Sequence, residues 1–126
     1  MRLAVHRKEN DNSNVIYTEL NGYKLMFMGD ASVTTESEIL NKYNLPKINI
    51  LKVGHHGSKT SSSKEFINEI NPKYSIISVG KNNRYGHPNK EVLSNLENSK
   101  IYRTDKDGSI MFKIKNNKLK IETCGP

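Results

Sequence analysis

Apolar stretches of strand length alternate along this chain with short amphipathic segments that open on capping signals, and this alternation most restricts the folds available to it. Residues 15–20 and 23–28 read as two strands joined by Asn21-Gly22, the strongest short-range hairpin signal. Thr35-Glu36-Ser37-Glu38 is a capping box that predicts a helix running to about residue 43, and Pro46 closes that unit. Residues 48–53 form a compact apolar strand, followed by a loop over 54–60. Ser62-Ser63-Lys64-Glu65 is a second capping box, and Phe66, Ile67 and Ile70 give the helix behind it an apolar face, stopped by Asn71-Pro72. Another strand (74–79), a loop (80–89) and a third helix (90–98, with Val92, Leu93 and Leu96 as apolar positions) follow. A short strand at 100–104, a turn at Asp107-Gly108 and a hairpin of 110–114 with 119–122 through Asn116-Asn117 close the chain. The order ββ-α-β-α-β-α-β-ββ predicts α/β layering, a mixed sheet with helices on one face, in a single domain over residues 1–126.

Three of the predicted loops follow the carboxyl ends of strands, where α/β sheets place their ligands. They carry Gly29-Asp30, Gly54-His55-His56-Gly57-Ser58 and Arg84-Tyr85-Gly86-His87-Pro88, so three of the four histidines fall where one site could gather them. Asp30 after an apolar strand is placed either to reach a cation or to serve as a turn or helix-capping aspartate. Adjacent side chains on a strand point to opposite faces, so His55 and His56 could serve one centre only if the loop turns sharply; flanking Gly54 and Gly57 permit such a turn. One imidazole could then bind metal or substrate while the other orients it; the alternative is an exposed polar loop. His87, held by Pro88 and by Asn89 as cap of the next helix, suits a ligand, a general acid or a structural role. Lys59, Thr60, Ser61, Ser62 and Ser63 form a hydroxyl-rich run that could accept phosphate oxygens through backbone N–H groups, or could simply cap the helix through Ser62. Lys52, Lys81 and Arg84 add positive charge nearby. His6 and Cys124 are isolated and receive no role.

The net charge is +7, with sixteen lysines, four arginines and sixteen asparagines. A basic balance favours polyanionic partners, although a lysine- and asparagine-rich composition also follows from an A/T-rich genome. One cysteine excludes an internal disulfide. No apolar run approaches the ~18–20 residues that cross a bilayer, and the first ten residues lack a signal-peptide core, so the chain as written is expected to be soluble and cytoplasmic.

Read together, residues 12–15, 25–30, 50–63, 74–88 and 102–108 resemble the ComEC-type branch of the metallo-β-lactamase superfamily, with Leu51-Lys52-Val53-Gly54-His55-His56-Gly57-Ser58 the most specific stretch. The resemblance implies an αββα sandwich, of which this chain would be the C-terminal portion, because the family's His-x-His-x-Asp-His segment does not occur in it. It implies Asp30 as a carboxylate bridging divalent ions, zinc or manganese, and His87 as the late histidine ligand, with His55 the runner-up. His55 and His56 are otherwise implied as catalytic or substrate-facing groups, and Ser58, Lys59 and Arg84 as contacts to substrate. The implied chemistry is hydrolysis of DNA phosphodiester bonds during DNA uptake. Full-length relatives join this domain to a membrane channel domain, which would make the whole protein membrane-associated. Two or three ligands are fewer than a dinuclear site needs, so the isolated chain is expected to be incomplete. Its missing ligands would come from an N-terminal half or across a homo-oligomer interface; the alternative is a non-catalytic module that binds nucleic acid or a partner through its basic surface.

Overall fold

A computed structural model describes residues 3–5, as backbone only, and 15–125 of the chain. The N-terminal stretch 12–14 and His6 lie outside the described residues. The elements run β1 (Leu3–Val5), β2 (Val15–Leu20), β3 (Tyr23–Phe27), α1 (Val33–Lys42), β4 (Ile50–Lys52), α2 (Lys64–Ile70), β5 (Tyr74–Ile77), α3 (Lys90–Asn95), β6 (Lys100–Arg103), the single-turn α4 (Thr104–Asp107), β7 (Ser109–Lys115) and β8 (Lys118–Cys124). The expected mixed sheet is present: β1 to β6 lie side by side in chain order, antiparallel from β1 to β3 and parallel from β3 to β6. Asn21 and Gly22 both take positive φ (51° and 85°), which is what the tight β2–β3 turn requires.

The period-two alternation of strand side chains divides the interior into two layers. Met26, Leu51 and Ile77 face a core that they share with Ile39 of α1, Phe66, Ile67 and Ile70 of α2, and Val92 and Leu96, so all three longer helices cover one face. On the opposite face Leu25, Ile50 and Ile76, with Tyr23, Phe27, Tyr74 and Tyr102, pack against Ile110, Phe112 and Leu119 of the closing hairpin. The β7–β8 hairpin is thus a separate two-stranded sheet laid over the far side of the main one. Its tip is fastened by Tyr23, whose hydroxyl donates to the Asn117 carbonyl (3.0 Å) and accepts from the Leu119 N–H (3.1 Å).

Both expected capping boxes move. Helix α1 begins two residues before Thr35, and Ser32 caps it by accepting from the Thr35 N–H (3.5 Å). In the second, Ser62 sits at φ 56° and gives its N–H to Glu36 of α1, so Ser63 becomes the cap, accepting from the Phe66 N–H (3.2 Å). In the second case a tertiary contact took the residue that the local motif had assigned. The third helix stops at Asn95 rather than at 98, the apolar strand contracts to Ile50–Lys52, and the turn expected at Asp107-Gly108 is the end of α4, with Gly108 at φ 74°. The short β1 had no sequence signal of its own. None of the described helices is long and apolar enough to cross a membrane.

Candidate functional site

Strands β3, β4 and β5 run parallel, so their carboxyl ends meet at one edge of the sheet, and the three loops singled out above meet there too. The first two are locked by backbone contact. The His55 N–H donates to the Gly29 carbonyl (2.7 Å), and a Cβ on Gly54 would lie 3.2 Å from the Ala31 carbonyl oxygen. Gly54 is therefore glycine for close approach. The sharp turn itself is made by the histidines, with His55 at φ 47°, His56 at φ 55° and then Gly57 at φ 79°. Two successive non-glycine residues in the left-handed region cost about 1–2 kcal/mol each and persist only where the surroundings impose them.

The third loop docks on this turn. The Asn89 N–H donates to the Gly57 carbonyl (2.8 Å), and a Cβ on Gly57 would fall 2.6 Å from Pro88 Cβ. The His55 and His87 rings come edge to face at 6.1 Å between centroids, and His55 and His56 lie 6.4 Å apart. The three imidazoles thus share one edge. His56 Nδ1 lies 2.6 Å from the Ser78 carbonyl, which can only accept, so Nδ1 carries the proton and Nε2 is the basic nitrogen of the neutral ring. His55 Nδ1 lies 3.5 Å from the Thr60 hydroxyl. Burial and the adjoining His55 and His56 push the His87 imidazolium below its ordinary range, keeping that ring neutral.

Asp30 occupies the turn after β3. Its carboxylate lies close enough to influence Lys52, whose half-buried ammonium is pushed down by burial while Asp30 acts in the opposite direction. Lys59, Arg84 and Tyr85 are exposed around the histidines, and Tyr85, 75% exposed, stacks on His87 with centroids 5.7 Å apart. Ser58 is 6% exposed, and its hydroxyl is engaged by Thr60 (3.0 Å), so it shapes the loop from inside. Among the described residues, no three His, Cys, Asp or Glu side chains converge closely enough to hold a metal ion. The donors present therefore do not fit a self-sufficient metal site.

Three supports were missed by the sequence reading. Buried Glu36 accepts from the backbone N–H groups of Ser62 and Ser63 (2.9 Å for the latter), tying the end of the histidine loop to α1. Asn83 spans its own loop, donating to the His87 carbonyl and accepting from the His87 N–H (both 2.8 Å). Thr104 brackets Val79, its hydroxyl accepting from the Val79 N–H and donating to the Val79 carbonyl (both 2.9 Å). Only Asn83 had a usable signal, since asparagine in a loop commonly bonds nearby backbone.

No model of a known protein family matches the chain. It is similar to ComE operon protein 3 of Bacillus subtilis, at 43% identity over 110 residues, which is 86% of this chain and 14% of that protein. It is 36% identical to Competence protein ComA of Neisseria gonorrhoeae over 108 residues, covering 82% of this chain and 16% of that protein. It is 32% identical to Recombination protein 2 of Haemophilus influenzae over 121 residues, covering 94% of this chain and 15% of that protein. Over most of its length the chain is therefore a homologue of one segment of these competence proteins, and it spans 14% to 16% of their length.

Proposed function

We propose that this chain is part of a DNA-uptake protein and forms one wall of a hydrolase site that acts on DNA phosphodiester bonds, within a metallo-β-lactamase-type sandwich. One observation carries the reading: three imidazoles and the Asp30 turn gather at the carboxyl edge of parallel strands, in a chain homologous to competence proteins. The helix layer, mixed sheet and hairpin layer are consistent with three of the four layers of that sandwich.

In this reading Asp30 and His87 are this chain's share of a ligand set for zinc or manganese, and the remaining donors lie outside the described residues. The metal, when bound, would supply a water nucleophile and neutralise phosphate charge. The chain's own residues have separate tasks. Neutral His87 keeps a lone pair available as a donor. His56, held by the Ser78 carbonyl, presents Nε2 as a proton acceptor or, once protonated, as the acid for a leaving oxygen. Lys59 and Arg84, exposed beside the histidines, draw phosphates toward the edge.

The incomplete donor set favours a second reading, a module that binds nucleic acid through the same edge without cleaving it. Metal content of the chain equilibrated with zinc or manganese, together with cleavage of single- and double-stranded DNA, separates the two. Retained metal that is lost in both Asp30→Ala and His87→Ala supports the hydrolase wall. Metal retention identical in parent and variants would remove Asp30 and His87 from the ligand set. DNA binding without metal or cleavage would leave the binding module.

A further inference from the structure

The closing hairpin has an outer face that the strand-end edge does not use. One face of β7–β8 is turned onto the main sheet through Ile110, Phe112 and Leu119. The other is set by the cross-strand register, which places Ser109 opposite Cys124, Met111 opposite Glu122, Lys113 opposite Lys120 and Lys115 opposite Lys118. Four lysines therefore form two directly opposed like-charge pairs on one side of a two-stranded ribbon. Opposed like charges destabilise a ladder, so this arrangement lowers hairpin stability unless something neutralises it. Glu122 answers only part of it, lying 3.2 Å from both Lys113 and Lys120. Among the described residues no ion pair engages Lys115 or Lys118.

The patch has a definite charge density. Lysines two apart on a strand are separated by about 6.8 Å, and opposed pairs by about 5 Å. Four lysine charges, three net of Glu122, thus occupy about 7 Å along the ribbon. A DNA duplex carries one phosphate charge per about 1.7 Å of axis, or about four over the same length. The face is also poor in apolar groups, with Met111 its one large exposed hydrophobic side chain (55% exposed), whereas an element that lies in a membrane interface buries an apolar face in it. Density and polarity together match a nucleic-acid backbone better than a lipid surface. The ribbon is also firmly mounted, through its apolar inner face and the Tyr23 anchor, so little ordering is needed on binding.

We propose that the outer face of β7–β8, through Lys113, Lys115, Lys118 and Lys120, is a docking surface for the phosphate backbone of duplex DNA, separate from the strand-end edge. It rests on the DNA reading above for the choice of polyanion and adds a contact that reading does not contain. Such contacts are independent of base sequence and are measured by salt dependence.

The test is the affinity of the full chain for a fluorescently labelled duplex by anisotropy, between about 50 and 200 mM salt. Each lost phosphate contact reduces the slope of log K against log salt by about 0.9. Lys115→Gln with Lys118→Gln should therefore reduce it by about 1.8, an affinity loss of about 60-fold near 0.1 M salt. Lys42→Gln with Lys64→Gln removes the same charge from exposed helix positions and should leave the slope unchanged. An unchanged slope in the hairpin pair, or an equal reduction in the helix pair, overturns the proposal. If Lys59→Gln with Arg84→Gln weakens binding while the hairpin pair does not, DNA binding stands and only the hairpin surface falls. No duplex binding by the parent overturns both. Loss of binding to anionic phosphatidylserine vesicles, with duplex affinity retained, would assign the face to membranes and also overturn it.

Discussion

Glu36 offers the most direct test of how the site loop is held. It is 1% exposed, and its two carboxylate oxygens accept from the backbone N–H groups of Ser62 and Ser63 at the start of α2. Glu36→Ala leaves both donors without an acceptor. Hydrogen bonds to a charged group contribute about 1.5–3 kcal/mol each, against which the variant recovers the cost of burying a carboxylate. A net loss of about 2–4 kcal/mol results. Unfolding entropy near 2.1 cal/mol/K per residue gives about 0.26 kcal/mol/K for 126 residues, so Tm should fall by about 8–15 °C.

Glu36→Gln removes the titrating charge and keeps one of the two acceptors, because its amide nitrogen cannot accept from a backbone N–H. Burial raises the carboxyl pKa above its ordinary 4.5, outweighing the opposite pull of the hydrogen bonds to Ser63 and Ser62. The folded state then binds the proton more readily than the unfolded chain. Parent stability should therefore decline as pH rises from about 4.5 through the raised pKa, whereas the Gln variant has no such dependence. Calorimetric scans of both proteins across that range measure the difference. An Ala variant that melts within about 2 °C of the parent, where several times that is expected, would refute the structural role of these contacts. A parent-minus-Gln difference that grows with pH would refute the dominance of burial.

Other outcomes follow from the same geometry. Gly57→Ala places a methyl 2.6 Å from Pro88 Cβ at a backbone φ of 79°, and should cost about 2–4 kcal/mol in chemical denaturation while speeding hydrogen exchange at the Asn89 amide. Thr104→Val strips both partners from the Val79 backbone and should cost about 1–3 kcal/mol, whereas Thr104→Ser should stay near the parent in the same assay. In the metal-free chain, NMR titration should find the His87 imidazole protonating below its ordinary 6.5, and His55→Ala should raise that value by removing a neighbouring positive charge at acid pH. Because the folded-state pKa is depressed, the His87 contribution is fully present above about 6.5 and is lost as pH falls through its lowered pKa.

Much of the fold was legible because its determinants are local. Asn21-Gly22 and Asn116-Asn117 mark hairpins through residues that tolerate positive φ, and the strand and helix stretches follow from apolar periodicity within a few residues. Parallel order also follows from strands that alternate with helices, which is why the carboxyl-end loops could be expected at one edge. The contacts that fix the site are different in kind. Glu36 reaches across 26 residues to Ser62, and Thr104 across 25 to Val79, and neither pairing leaves a trace in local spacing. The second capping box was misplaced for the same reason, since Ser62 gave up its capping position to a distant carboxylate.

Short-range chemistry thus set the elements, their order and the presence of histidines at strand ends. Only the tertiary structure decided that His55 and His56 would themselves take the left-handed turn, that Gly54 and Gly57 would serve close approach, and that four lysines would share one face of the last hairpin. Those outcomes depend on which loops and strands meet in space, and steric fit and register are settled only once the sheet has formed.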